Sequence, residues 1–373
     1  MPTPAPPRWR GMSGWKQRLA LTAGGLGVVT ITAGVVLATR HPGTSASKRQ
    51  ASGFSWISVP SLASTGSFRS ASCPGATMCY VVGGGAAGFI ASTTNGRAWS
   101  TTAVPQVQQL TAVACPSPSR CWAGGETRAG SAVIVATTDG RTWNTQTATP
   151  DAVITSIACP SSAVCLAVGT DFSRQDLSDV FATIDGGATW RPRPLPAGDA
   201  HPLAVSCWDS TRCMEVGGGG TWTTSNVGAT WQGRPTPGPP ATGGFGYVLD
   251  SVTYISATDV WTVGGSQCGG VTATQCDGWA FHSTDGGATW TPYAQADRKF
   301  PFAQQVVCDG PHCLVLAQAF KSSSVEDTQG GASWRTTATA NAQLDTLACS
   351  SRNYLCVAGG SIGTSPALFR TAS

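Results

Sequence analysis

A short box of residues recurs six times along the chain, and this repetition constrains the fold more than any other feature. Each copy places a Ser or Thr shortly before Asp, Asn or Gln and ends on Trp, as in TIDGGATW and STDGGATW. The six tryptophans are Trp99, Trp143, Trp190, Trp231, Trp290 and Trp334. Successive copies lie 41 to 59 residues apart, and periods of this length are typical of solenoids and propellers.

The 14 cysteines repeat in step with the box. They form seven neighbouring pairs: Cys73/Cys79, Cys115/Cys121, Cys159/Cys165, Cys207/Cys213, Cys268/Cys276, Cys308/Cys313 and Cys349/Cys356. Most pairs are flanked by apolar residues, as expected for two strands joined by a turn. In one further hairpin, Tyr254 and Val260 occupy both Cys positions, so the two thiols are missing together. We predict a local disulfide for each pair, because metal binding, the competing interpretation, lacks C-x2-C spacing and the chain has only four His.

Each unit contains an apolar Cys hairpin, a third strand, the box and a fourth strand, and four strands per unit indicate propeller blades. Hairpins begin near residues 67, 110, 153, 202, 250, 304 and 344. The last unit has no box and no fourth strand, whereas FSWISVP at 54–60 resembles a fourth strand. We therefore predict an all-β, seven-bladed propeller with four-stranded blades, in which this N-terminal strand closes the last blade by pairing with 365–372. Six or eight blades are the main alternatives.

The N-terminus predicts export. Residues 1–18 are basic without any acid, and residues 19–38 are uncharged and apolar over 20 positions, enough for a helix across a bilayer core of about 30 Å. We predict a cytoplasmic segment 1–18, a transmembrane helix 19–38, a flexible linker 39–52 and an external propeller 53–373, placed in a bacterial cell membrane. The alternative is a cleaved signal peptide and a secreted protein.

The charge of the remainder argues against nucleic-acid binding. Seven of the 23 basic residues lie in the first 50, so the rest of the chain carries 16 basic and 19 acidic residues, a net charge of −3. Nucleic-acid binding requires a basic face instead. We expect no cofactor and no metal, and we expect a monomer.

The pattern S/T-x-D-G-x-x-W resembles the Asp-box, or bacterial neuraminidase repeat, across about residues 53–373. That repeat occurs in sialidases, Ycf48-like photosystem assembly factors and sortilin-type receptors. The resemblance implies a structural turn between the third and fourth strands, in which the acid hydrogen-bonds the backbone and the Trp packs between strands. The acid position holds Asn95, Asp139, Asp185, Asn226, Asp285 and Gln329.

The sequence leaves two functions to compare, an enzyme and a binding module. A sialidase-like or other secreted glycoside hydrolase needs paired carboxylates, yet the chain has only three Glu, no F-R-x-P segment and no G-x-S-x-G elbow. We therefore lean against an enzyme and predict no catalytic residues. The other function is a non-catalytic, membrane-tethered module that binds or scaffolds a protein or glycan.

Three insertions predict where a partner binds, at 170–180, at 266–278 and, between blades, at 233–247. All three belong to the face opposite the Cys turns and boxes, and long loops on a rigid ring are the usual binding sites. The alternative is tolerated variation of a surface loop. The candidate residues are Asp171, Arg174, Asp176, Asp179, Gln267 and Thr274.

Overall fold

The computed structural model describes residues 56–59, 62, 66–149, 153–170, 178–193, 201–218, 220–237, 247–266, 278–293, 302–319, 321–329, 334–350, 355–363 and 365–371. All of them belong to one compact unit, Gly53–Ser373. Within these ranges the secondary structure is strand and turn without helix. The predicted segments 1–18, 19–38 and 39–52 lie outside the described residues. No helix among the described residues has the length and apolar character needed to span a membrane.

The strands group into seven repeat units, numbered here along the chain. Unit 1 contains Gly66–Gly75 (β2), Met78–Gly85 (β3), Gly88–Thr93 (β4) and Ser100–Val104 (β5). Unit 2 contains Val107–Ser117 (β6), Arg120–Thr127 (β7), Ala132–Thr137 (β8) and Asn144–Thr149 (β9). Unit 3 contains Val153–Ala158 (β10), Cys165–Thr170 (β11), Ser178–Thr183 (β12) and Arg191–Pro192 (β13).

The later units follow the same plan. Unit 4 contains Pro202–Cys207 (β14), Cys213–Gly217 (β15), Thr221–Thr224 (β16) and Gln232–Arg234 (β17). Unit 5 contains Tyr247–Tyr254 (β18), Val260–Ser266 (β19), Gly278–Ser283 (β20) and Thr291–Pro292 (β21). Unit 6 contains Phe302–Asp309 (β22), His312–Ala319 (β23), Ser322–Gln329 (β24) and Trp334–Ala340 (β25). Unit 7 contains Gln343–Cys349 (β26), Cys356–Ile362 (β27), Ser365–Thr371 (β28) and the N-terminal Trp56–Ser58 (β1).

The fourth strand of unit 7 comes from the other end of the described chain. β1 pairs antiparallel with β28, with Trp56 opposite Thr371 and Ser58 opposite Phe369. The backbone N–H of Val59 extends this ladder by donating to Leu368 O at 2.8 Å. The last sheet therefore has the order β1-β28-β27-β26, as the N-terminal strand predicted.

The prediction of seven separate blades needs a correction. The structure has five separate four-stranded sheets, made by units 3 to 7, whereas β2 to β9 form a single eight-stranded sheet. The two halves of that sheet join at one residue pair, Gly84 opposite Gln109. The physical reason is the glycine: a Cβ at Gly84 would lie 2.6 Å from Gln109 Cα, so only a residue without a side chain permits this approach.

The apolar core lies between units rather than inside each one. Seven clusters of buried residues each combine side chains from two consecutive units, and the last combines units 7 and 1. Between units 2 and 3, for example, Trp122 and Ile134 pack with Ile154, and Trp190 of the box lies against them. Because every unit shares a cluster with both neighbours, the arrangement closes on itself as a β-propeller.

Candidate functional site

The innermost strands form a closed ring around the propeller axis. The first strand of each unit contacts the first strands of both neighbouring units, from β2 through β6, β10, β14, β18 and β22 to β26 and back to β2. In a propeller the innermost strands surround a central channel. Side chains that leave these strands toward the axis are therefore the residues a ligand in the channel would meet.

Every first strand carries a β-bulge at the same place, four residues before the first half-cystine or before Tyr254. The bulged residues, called the bulge ring below, are Arg69, Thr111, Thr155, Leu203, Asp250, Gln304 and Asp345. The residue before each one is buried, whereas all seven bulged residues are partly exposed. A bulge re-aims a side chain and is common next to functional sites.

A glycine on the second strand permits most of these bulges. Four residues after the second half-cystine, or after Val260, six units have Gly83, Gly125, Gly169, Gly217, Gly264 and Gly360. A Cβ on Gly169 would lie 2.8 Å from Val153 O, and on the other five it would overlap the corresponding carbonyl. The bulge therefore pushes a carbonyl into space that only glycine leaves open. Unit 6 has Ala317 there and still carries a bulge.

Hydrogen bonds between first strands hold several neighbouring bulges at one level. The hydroxyl of Ser70 accepts from Val113 N–H at 3.1 Å, and Ser156 accepts from Val205 N–H at 3.2 Å. Ser251 repeats the contact with Val306 N–H at 3.2 Å. In these three contacts the acceptor is the residue after a bulge, and the donor lies two residues after the bulge of the next unit. The repeated register places equivalent residues side by side around the axis.

Five members of the bulge ring have hydrogen-bond or ionic partners in the protein. Arg69 forms an ion pair with Asp345, Nη1 to Oδ2 3.0 Å, across the junction of units 1 and 7. Gln304 also hydrogen-bonds Asp345. The hydroxyls of Thr111 and Thr155 donate to the carbonyls of the next unit, Thr155 to Pro202 O at 3.0 Å. Burial raises the pKa of Asp345, although Arg69 opposes that shift.

Asp250 is the exception in the ring. Its Oδ2 atom is enclosed, and no donor among the described residues contacts it. Burial alone raises the pKa of this carboxyl well above its ordinary value, because no cation or hydrogen bond opposes it. Gln304, on the adjacent first strand, has a buried Oε1 atom that also lacks a donor among the described residues. Leu203 stands on the other side of Asp250 and is partly exposed.

In the boxes, by contrast, the carboxylates accept hydrogen bonds from backbone N–H groups within the turn. Asp139 Oδ1 accepts from Arg141 N–H at 2.8 Å and from Thr142 N–H at 2.7 Å. Asn95 accepts the equivalent pair from Arg97 and Ala98 at 2.9 and 2.8 Å. Hydrogen bonds from the Thr289 side chain and backbone lower the pKa of Asp285 to about 2. A carboxylate held ionised in this way is an acceptor and not a general acid.

The boxes of units 3 and 4 are one residue longer, and their acceptors bind a backbone N–H further along the turn. Asp185 and Asn226 each accept from a backbone N–H four residues later, at 2.9 and 2.8 Å. In unit 6, Gln329 ends β24 and Trp334 begins β25, and the residues between them lie outside the described ranges. Trp99, Trp143, Trp190, Trp231 and Trp290 pack against the clusters between units, and Trp334 is buried in one.

The Cys turns and boxes lie at the same end of each unit. In unit 3, Gly186 N–H of the box donates to Ala163 O of the Cys turn at 2.8 Å, and in unit 5 Gly286 donates to Thr258 O at 2.8 Å. A shallow pocket of about 450 Å³ opens at this end between units 2 and 3. Arg120, which lines it, already donates to Gly186 O at 2.7 Å and stacks over Trp122. This pocket is therefore the surface of a contact between units.

The predicted disulfides are confirmed for six pairs. They are Cys73–Cys79, Cys115–Cys121, Cys159–Cys165, Cys207–Cys213, Cys308–Cys313 and Cys349–Cys356. Cys268 and Cys276 lie outside the described residues. In the hairpin without cysteines, Tyr254 and Val260 are paired across the strands, and Val260 is fully buried.

Most of the predicted binding residues fall outside the described ranges: Asp171, Arg174, Asp176, Gln267 and Thr274. Asp179 is described, and its assignment to a loop is wrong, because it lies in β12 opposite Gly169. The bulge ring was missed at the sequence level. Its signal was the glycine four residues after the second half-cystine, which marks a close backbone approach. Among the described residues no group of three or more His, Cys, Asp or Glu could bind a metal.

The strand order and the closed ring of first strands define an all-β propeller. No family model and no curated protein sequence matches the chain. Among solved structures, the chain is similar to "YCF48 bound to D1 peptide", with a TM-score of 0.61 and 14% identity over 86% of this chain and 97% of that one. It also matches a Niastella koreensis GH74 enzyme, with a TM-score of 0.34 and 15% identity over 78% of this chain and 53% of that one. The similarity to the YCF48 structure supports the fold. The TM-score of the GH74 match is too low to support any argument.

Proposed function

We propose that this protein is an exported, membrane-tethered β-propeller that binds a protein partner at its central channel and does not catalyse a reaction. The bulge ring carries the proposal. The units repeat their half-cystines, boxes and tryptophans, but the seven bulged positions hold Arg, Thr, Thr, Leu, Asp, Gln and Asp. Positions that only build the fold repeat, whereas positions that meet a ligand need differing chemistry.

The similar solved structure is consistent with a protein partner. That protein is described as bound to a peptide, and a propeller channel lined by partly exposed side chains suits a peptide segment. The two insertions at 170–180 and 266–278 would extend the same surface on the side opposite the boxes. We also propose that residues 19–38 anchor the chain, because their length and lack of charge match a bilayer core.

The blade count belongs to this proposal as well. We infer that the eight-stranded sheet acts as two blades, which makes the propeller seven-bladed. The support is that its two halves share one residue pair, Gly84 with Gln109, and enclose a cluster of the same kind as the other six. We further propose that the boxes are Asp-box repeats used as turns, since the Asp139 and Asn95 side chains make the same backbone contacts.

Affinity capture of the full chain tests the binding role. The tagged chain, in a non-ionic detergent, is incubated with envelope extract, and captured proteins are quantified by mass spectrometry. A channel variant carries Leu203→Ala and Gln304→Ala. Its matched control carries Thr138→Ala and Ser162→Ala, which change two exposed residues of the pocket at the box end. We expect a partner that the wild type and the control retain and the channel variant loses.

Two other results would overturn parts of this proposal. Loss in the control alone would place the binding site at the box end. Specific capture by none of the proteins, together with binding on a glycan array, would exchange the protein partner for a carbohydrate. Shortening 170–180 or 266–278 in the same assay measures the contribution of each insertion.

A further inference from the structure

We propose that the channel sector formed by Leu203, Asp250 and Gln304 binds a lysine or arginine side chain of the partner, with the alkyl stem against Leu203 and the cationic head at Asp250. This inference rests on the proposed function, because it names the chemistry that the same channel recognises. The three residues occupy the bulge position in units 4, 5 and 6. Their strands β14, β18 and β22 contact one another in that order.

The hydrogen bonding of the ring leaves this sector short of donors. In units 2 and 3 the bulged residue is Thr, and its hydroxyl donates to the carbonyl before the next bulge, as Thr155 does to Pro202 O. An amide oxygen can only accept, and a carboxyl group has one donor when it is neutral and none when it is ionised. Asp250 Oδ2 and Gln304 Oε1 are both enclosed without a donor among the described residues. Two unsatisfied acceptors on adjacent strands call for a ligand rich in N–H groups.

Charge selects a cationic donor. Asp345, the other carboxyl group of the ring, is already paired with Arg69 at 3.0 Å. No cation among the described residues pairs with Asp250, and an unpaired enclosed carboxylate costs free energy that a matching cation would recover. An ammonium group offers three donors and a guanidinium group five. Either head group therefore has donors for more than one acceptor.

An organic cation suits the site better than a metal ion. Calcium takes six to eight oxygen ligands and magnesium requires six in octahedral geometry, whereas this sector offers one carboxyl group and one amide oxygen. Leu203 adds an apolar wall beside them. Lysine and arginine carry an apolar stem that packs against such a surface while the head reaches a polar partner. The sequence of apolar wall, carboxyl group and amide matches the shape of these side chains.

The test uses n-butylammonium as a mimic of the lysine side chain. The full chain, labelled with ¹³C at the Asp side-chain carboxyl, is titrated in a non-ionic detergent at fixed pH and ionic strength. Asp250→Asn assigns the Asp250 resonance by removing it. We expect a saturable shift of that resonance toward the ionised position, while 1-butanol, a neutral molecule of similar length, produces none.

Calorimetric affinities for n-butylammonium distinguish binding at Asp250 from nonspecific attraction of a cation to the protein. We expect Asp250→Asn to weaken n-butylammonium binding about tenfold or more, because a hydrogen-bonded charge is lost. Asp309→Asn, which removes an exposed acid from a Cys turn, should leave the affinity unchanged. Each methylene removed from the ligand should weaken binding to the wild type about fourfold, and Leu203→Ala should reduce that dependence on length.

Equal binding by wild type and Asp250→Asn, or a shift produced equally by 1-butanol, would overturn the inference. Failure of the inference and failure of the proposed function are distinguishable by affinity capture. A partner captured equally by wild type and Asp250→Asn would leave the binding propeller standing and remove the cation site. If the wild type captured no partner but n-butylammonium still bound at Asp250, the cation site would stand and the binding role would be removed.

Discussion

At the scale of single residues, a hydrogen-bond acceptor matters more in the boxes than a charge. Asn95 and Asp139 accept the same pair of backbone N–H groups at nearly the same distances. This equivalence explains why acid and amide alternate among the repeats. In contrast, the enclosed Oδ2 atom of Asp250 has no donor among the described residues, and a buried carboxyl group without a partner weakens the fold when it ionises. The box residues therefore stabilise the fold through satisfied hydrogen bonds, whereas Asp250 lowers its stability because Oδ2 has no such bond within the described ranges.

Replacements of Asp285 test this view of the boxes. Asp285→Asn keeps the acceptor for Thr289 N–H, so we expect the melting temperature at pH 7 to fall slightly, whereas Asp285→Ala should lower it more. The folded-state pKa is about 2, below the ordinary value of about 4. The charge therefore stabilises the fold above pH 4, and that stability is lost as pH falls toward 2. Calorimetry at pH 7 and pH 2 should show the difference between wild type and Asp285→Asn shrinking.

Equal melting temperatures for Asp285→Ala and Asp285→Asn at pH 7 would contradict the acceptor role. Asp309→Asn serves as the control for removing one acidic charge outside the boxes.

At the scale of strands, the recurring unit is a bulged first strand pressed against a glycine on the second. The bulge places a first-strand carbonyl where a Cβ of the second strand would otherwise lie. Six of the seven units have glycine, which has no Cβ, at that second-strand position. Gly84 goes further, because the neighbouring unit approaches it closely enough to pair through Gln109. Strand-level packing therefore decides whether two units remain separate sheets or merge.

Gly84→Ala should disturb this junction. The added methyl group would lie 2.6 Å from Gln109 Cα, so β3 and β6 must separate. Overpacking of this kind costs about 1–3 kcal/mol, which urea unfolding of the full chain in a non-ionic detergent can measure. Gly75→Ala is the matched control, because its Cβ would have only an ordinary contact, 3.4 Å from Met78 Cβ. Equal effects of the two substitutions would show that the junction is not close-packed.

At the scale of the whole molecule, closure of the ring leaves the three-residue strand β1, rather than the seven-residue β28, at the edge of the last sheet. β1 covers the edge of β28, and Trp56 packs against the cluster between units 6 and 7. Without β1, the row of N–H and C=O groups on β28 would be open to pairing with another chain. We therefore expect the short strand to hinder pairing of β28 with another chain.

Ile57→Pro should release this strand. Ile57 is opposite Arg370 in the ladder, two residues before Val59, whose N–H donates to Leu368 O across the same ladder. Because hydrogen-bonded pairs alternate along antiparallel strands, the N–H of residue 57 also faces β28, and proline would remove that donor. We expect light scattering after size exclusion to show dimers and larger species that grow with concentration. Ile57→Thr keeps a β-branched residue at the same exposed position and should remain monomeric. A monomeric Ile57→Pro variant would show that the edge is protected by other means.

The sequence predicted the features that repeat with the chain. The cysteine spacing led to six confirmed disulfides, and FSWISVP led to the closing strand, because turns, periods and apolar runs act locally. The bulges were missed because they arise when a carbonyl of one strand presses on a neighbour, as Gln109 does on Gly125. The merged sheet depends likewise on an approach between units that no local pattern records. Loop assignment erred at Asp179, where the third strand begins before the predicted insertion ends.

The pairing of β1 with β28 also sets the order of folding events. Trp56 and Thr371 are more than 300 residues apart in the chain yet adjacent in one sheet. Closing so large a loop costs more entropy than any contact within a unit, and folding slows as contacts become more distant in sequence. The Cys hairpins, whose halves are separated by five to seven residues, can form early and independently. The seventh unit would then be completed last, and its fourth strand would be the first to exchange amide hydrogens in the native protein.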